Sequence, residues 1–186
     1  KHLALLLQIN FLNCLDVEIK PYMEHLYVQP GDSIHLEIDF KDMLHPVITG
    51  SGADLNKQIT QFTEGGFYMP RYSHWKEFET QEEFDQIMEK EYQERLKRYE
   101  EYVHKYQPTD VVKQYINDML KADYYKALFS NLNQFAYTRN QKIDIRQYTD
   151  KLKEAALLLD NQTIIESNFG LAENIYNHLH LLNERY

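Results

Sequence analysis

The hydropathy of this 186-residue chain changes period once, abruptly, at Gly50-Ser51-Gly52. Before that point the apolar residues recur every second position. Leu15, Val17 and Ile19 alternate with Asp16, Glu18 and Lys20, and Ile34, Leu36, Ile38 and Phe40 alternate with His35, Glu37 and Asp39. Strict alternation puts the apolar set on one face of a half-buried sheet. Leu3 to Phe11, Glu24 to Gln29 and about His45 to Thr49 read as further strands. In Gln29-Pro30-Gly31-Asp32, Pro presets the first central position of a type II turn and Gly takes the positive φ of the second. The first 50 residues thus predict an antiparallel meander.

Beyond Gly52 the spacing becomes helical. Ala53 to about Thr63 carries Leu55, Ile59 and Phe62 on one face and ends at Gly65-Gly66. A long helix is predicted from about Thr80 to Gln107, with Thr80 and Glu83 at capping-box spacing and Pro108 at the far end. Its apolar stripe is Phe84, Met88, Tyr92, Leu96, Tyr99, Val103 and Tyr106. A second long helix follows from about Thr109 to Tyr137, and the Pro108 turn makes the two an antiparallel hairpin. Two shorter helices, about Ile145 to Leu159 and Phe169 to Glu184, end the chain. The expected class is α+β. A four- or five-stranded antiparallel β-meander over residues 1–52 precedes a helical subdomain over residues 53–186.

Composition narrows the functions open to such a chain. Asp and Glu exceed Lys and Arg by 29 to 20, a net charge of −9, which disfavours phosphate backbones and anionic membranes. Only 6 Gly and 5 Pro are present, too few for a glycine-rich nucleotide fold or a many-turned propeller. The single cysteine, Cys14, leaves no Cys-x-x-Cys pair and no cysteine-based zinc site, and it reads as a buried structural thiol. No segment reaches the ~20 apolar residues of a membrane span. The opening residues up to Cys14 could be the tail of a lipoprotein signal, but Asn13 fits the cleavage position poorly, and a buried strand fits better.

No constellation isolates catalytic chemistry. His178 and His180 lie two apart on a helix, turned about 200° from each other, and cannot share one metal; one exposed and one partly buried imidazole is the expectation. His35, Glu37 and Asp39 share a strand face, either as a carboxylate–imidazole set or as a solvated surface. The acids of the long helix pair with bases at i, i+4 (Glu91–Arg95, Glu94–Arg98, Glu101–Lys105), which reads as a solvated, charge-laced face. The 15 tyrosines are the distinctive excess. Those on the two long helices are expected to line the helix interface with hydroxyls toward solvent. Tyr68, Tyr72 and Trp75, in an irregular stretch, are the candidate binding residues. No cofactor and no metal are implied.

Two segments carry a resemblance. Tyr27-Val28-Gln29-Pro30-Gly31-Asp32-Ser33-Ile34 and Ile48-Thr49-Gly50-Ser51-Gly52-Ala53-Asp54-Leu55-Asn56, in this order, resemble the YxxPGDSI and TGSGAxLN steps of Bacteroidetes cell-envelope thioredoxin-like proteins, the TlpA/ResA-like thiol–disulfide oxidoreductases. The resemblance covers about 30 residues. It implies a small N-terminal β-domain and a helical segment ahead of a thioredoxin domain bearing Cys-x-x-Cys. The family's redox cysteines have no counterparts in this chain. The implied role is a non-catalytic accessory module on the periplasmic side of the envelope, with a following or separate thioredoxin domain, or its client, as partner. The alternative is a stand-alone envelope module that takes a glycan or peptide on Tyr68–Trp75.

Overall fold

A computed structural model describes residues 27–28, 31–39, 42–67, 79–140, 143–161 and 171–183. The chain divides into two compact units, Lys1–Gln61 and Phe62–Tyr186.

In the first unit, β1 (Ile34–Asp39) and β2 (Asp42–Gly50) form an antiparallel pair that leads into α1 (Ala53–Thr63). Leu36 faces Ile48, while His35 faces Thr49 and Glu37 faces Val47. Partners directly opposite share a face. Ile48 is buried, whereas His35, Glu37, Val47 and Thr49 are exposed, so the polar positions of β1 and their partners on β2 share the open face. The register slips between Glu37 and Asp39. The expected four- or five-stranded meander is overturned. Among the described residues the sheet has two strands, and most of these residues are helical. Alternation marks a half-buried extended segment but does not name its pairing partner. Of the strand expected over residues 24–29, Tyr27 and Val28 are irregular, and the backbone of Tyr27 bonds to a side chain instead of a ladder. The strands expected from Leu3 to Phe11 and from Leu15 to Lys20, and Cys14, lie outside the described residues.

The second unit is built on α2 (Gln81–Tyr106) and α3 (Asp110–Arg139). Thr80 caps α2 by accepting from the Glu83 amide at 3.2 Å, and the Glu83 carboxylate accepts from the Thr80 amide at 3.3 Å, which completes the capping box. Gln107 ends the helix in the left-handed region at φ 48°. Tyr99 meets Lys113 near the turn, Tyr92 stacks on Tyr124 further along, and Phe84 stacks on Phe135 at the far end, so the two helices run antiparallel. A 3-10 turn at Ile145–Tyr148, α4 (Thr149–Leu157), another 3-10 turn at Leu158–Asp160 and α5 (Leu171–Asn183) complete the described part. Phe84, Ile116, Leu120, Leu128, Phe129, Leu132, Phe135 and Leu152 are fully buried and form the core. Among the described residues no helix is long and apolar enough to cross a membrane.

The buried edge of α2 differs from the expected stripe. Phe84, Met88, Arg95 and Tyr102 are the buried residues, with Tyr92, Leu96, Tyr99, Val103 and Tyr106 flanking them. Arg95 therefore lies on the core side with 1% exposure, its guanidinium 3.7 Å from a Glu91 carboxylate that is itself mostly covered. The Glu91–Arg95 pair is not part of a solvated face.

Candidate functional site

The two segments that carry the family resemblance meet in the first unit. Gly50 stands at φ 104°, where L side chains are strained, and a Cβ there would fall 1.8 Å from the Ser33 carbonyl oxygen. A Cβ on Gly52 would come within 2.8 Å of both the Asp32 carboxylate and the Ile34 side chain. Gly50 admits the Ser33-Ile34 backbone and Gly52 the Asp32 and Ile34 side chains, and Ser51 between them fastens the segment. The Ser51 amide donates to the Ser33 carbonyl at 2.9 Å, the Ser33 amide donates to Ser51 Oγ at 2.8 Å, and Ser51 Oγ donates to Asp32 at 3.4 Å. Gly31 takes φ 93°, the conformation the second central position of a type II turn requires.

Asn56, one turn into α1, closes the same clasp. Its Oδ1 accepts from the Tyr27 amide at 2.8 Å, and its Nδ2 donates to the Tyr27 carbonyl at 2.8 Å and to the Gly52 carbonyl at 2.9 Å. The side chain is 3% exposed, so these bonds satisfy polar groups removed from water. Sequence reasoning placed Leu55, Ile59 and Phe62 on one face of α1 and named Asn56 only as part of the resembling segment, without a structural role. The signal was its position three residues from both Ala53 and Ile59, which are buried with it. The arrangement offers no nucleophile with a base and no open donor set. Its chemistry is to hold two chain segments together.

A second polar constellation lies among the helices of the second unit. Tyr148 donates to Asp85 at 2.5 Å, Tyr125 donates to Glu154 at 2.5 Å, and Tyr124 donates to Glu89 at 3.1 Å. Lys151 donates to Glu89 at 3.1 Å and also to the Tyr124 hydroxyl. Burial pushes Asp85 above the usual carboxylate range, against the pull of Tyr148 and Lys151. Burial also raises Glu89, but the bonds from Gln93, Lys151 and Tyr124 outweigh it, and the group ends lower than an ordinary Glu. Tyr92 is pushed up to about 12 by burial and by Glu89 and Glu154 nearby. Tyr125 and Tyr148 are raised by burial and by the carboxylates they bond. Phenols held protonated in this way are fixed donors and do not act as bases near neutral pH. The expectation of hydroxyls reaching solvent is corrected for Tyr124 and Tyr125, whose hydroxyls find carboxylates on neighbouring elements, as does the hydroxyl of Tyr148 on the 3-10 turn.

Tyr68, Tyr72 and Trp75, and the side chains of Asp39 and His180, lie outside the described residues. His35 and Glu37 are exposed on the open face of the β1–β2 pair. Among the described residues no group of three or more His, Cys, Asp or Glu could hold a metal ion. His178 is 1% exposed, buried beyond the partial cover expected of it. No family model, curated protein or solved structure matches the chain.

Proposed function

We propose that this chain is a non-catalytic accessory module of a thioredoxin-like thiol–disulfide oxidoreductase of the cell envelope, acting on the periplasmic side to position the redox domain or its client. One observation carries the reading. The residues of the two segments that resemble that family are the residues that hold each other, with Ser51 fastened to Ser33 and Asn56 to Tyr27. Two motifs read separately from the sequence thus behave as one structural unit, as a shared family signature would. The single cysteine leaves the chain without a dithiol, so the redox chemistry falls to a partner domain.

Two measurements test it. The coding sequence around this segment is expected to contain a thioredoxin domain with Cys-x-x-Cys, on the same chain or a neighbouring one; its absence from both overturns the reading. The chain alone is expected to reduce insulin no faster than dithiothreitol does unaided, and catalytic turnover would overturn the non-catalytic role.

A further inference from the structure

α5 buries Leu171, Ile175 and His178, spaced i, i+4 and i+7 along one face. A stripe of this spacing is what seats a helix on a core, and its third member is an imidazole. The His178 ring lies against Phe129 of α3, with centroids 4.9 Å apart and planes tilted by 40°. Its Nδ1 is 2.7 Å from the Asn174 carbonyl oxygen, one turn earlier on α5. A carbonyl can only accept, so in the neutral ring Nδ1 carries the hydrogen and Nε2 does not. A second proton must enter at Nε2 and would place a full charge inside the packed stripe.

Among the described elements, those packed most closely against α5 are α3, α4 and the Ile145–Tyr148 turn. Several of their ionisable groups are engaged with others. On α3, Tyr125 bonds Glu154 of α4. On α4, Lys151 bonds Glu89 and Lys153 bonds Asp150. On the turn, Arg146 bonds Asp144 and Tyr148 bonds Asp85. Burial lowers the pKa of His178 and the Asn174 carbonyl raises it in part; no carboxylate of these elements contributes.

We propose that His178 is an acid-sensitive latch: α5 stays seated on α3 while the imidazole is neutral and comes off when Nε2 is protonated. The folded form binds the proton less readily than the unfolded form. The stability His178 confers is therefore complete above its ordinary value of 6.5 and is lost as pH falls from there toward its folded value.

The test is amide exchange of α5 against α3 in the whole chain between about pH 7.5 and about pH 5.5, corrected for the intrinsic effect of pH on exchange. The wild type is expected to lose protection in α5 by up to about tenfold per pH unit while α3 keeps its own. His178→Phe, which fills the same space without titrating, is expected to abolish the loss. Unchanged α5 protection in the wild type, parallel loss in α3, or the same loss in His178→Phe overturns the latch. If that variant fails to fold, His178→Gln and the imidazole's own magnetic resonance titration replace it. The midpoint of ring protonation must then coincide with the midpoint of α5 release, and a mismatch overturns the proposal.

Discussion

Asn56 binds the amide and the carbonyl of Tyr27 at once, each bond 2.8 Å long, across 29 residues of chain. An amide side chain that matches a peptide group in this way substitutes for a strand partner. Asn56→Ala leaves both backbone groups and the Gly52 carbonyl short of a partner. It is expected to cost about 1–3 kcal/mol of stability, read as a lowered urea midpoint. Asn56→Asp, which loses the donor and sets a buried carboxylate against two carbonyl oxygens, should cost at least as much. A midpoint unchanged by Asn56→Ala would deny the clasp any energetic role.

Gly50 and Gly31 make a matched pair for testing the turn chemistry. Both have positive φ, but only Gly50 is crowded, by the Ser33 carbonyl. Gly31→Ala should cost only the backbone term, about 1–2 kcal/mol. Gly50→Ala should cost clearly more, because either the Ser51–Ser33 bonds or the β1–β2 register must give way. Circular dichroism melts of the two variants side by side would show the order, and equal losses would contradict it.

Asp85 and Glu89 sit one turn apart on α2 and have opposite acid responses. Glu89 is held below its ordinary value of 4.5, so its contribution is present above that pH and disappears as pH falls through the folded value. Asp85 is held above 3.8, so the fold favours its neutral form, and that contribution is lost as pH rises through the folded value. Glu89→Gln should therefore be less stable than wild type near neutrality, with the gap closing on acidification. Asp85→Asn, which mimics the neutral acid and can still accept from Tyr148, should gain relative to wild type near neutrality. Urea midpoints from about pH 7 to about pH 4 measure both, and parallel profiles for all three proteins would refute the assignment.

Arg95 is the buried ion of α2. Arg95→Ala removes the cation beside the mostly covered Glu91 carboxylate and opens a cavity, and the expected loss is about 3–5 kcal/mol. Replacing the pair together, Arg95→Met with Glu91→Leu, should recover most of it, since an apolar pair of similar volume needs no desolvation. Chemical denaturation of the single and double variants forms the thermodynamic cycle, and a double variant no better than Arg95→Ala would mean that the pair supplies more than cover.

What was legible in the sequence was local. Thr80 with Glu83 marked the start of α2, Pro108 marked the turn before α3, and Gly50-Ser51-Gly52 marked the passage from strand to helix, because caps and turns are decided by neighbours along the chain. The number of strands was not legible, since alternation at Ile34–Asp39 says which face is inner and nothing of which segment lies alongside. Arg95 was misplaced for a related reason. An i, i+4 pair with Glu91 has the same spacing on a core edge as on a wet surface. The hydroxyls of Tyr124, Tyr125 and Tyr148 find their carboxylates 29 to 63 residues away, a distance over which no periodicity carries information. In the clasp, the motif residues were visible as a signature before their contacts were known, and only the contacts explain why Gly50 and Asn56 belong to one signature.

The tyrosines between the helices have an optical consequence. A phenol pushed up to about 12 by burial, as Tyr92 is against Tyr124 of α3, is expected to contribute little phenolate absorbance while the helices remain together. In strong alkali the ultraviolet spectrum should change in two stages, first as the surface tyrosines ionise and then as the bundle opens. The second stage makes the protein its own reporter of helix separation, with no dye or label attached.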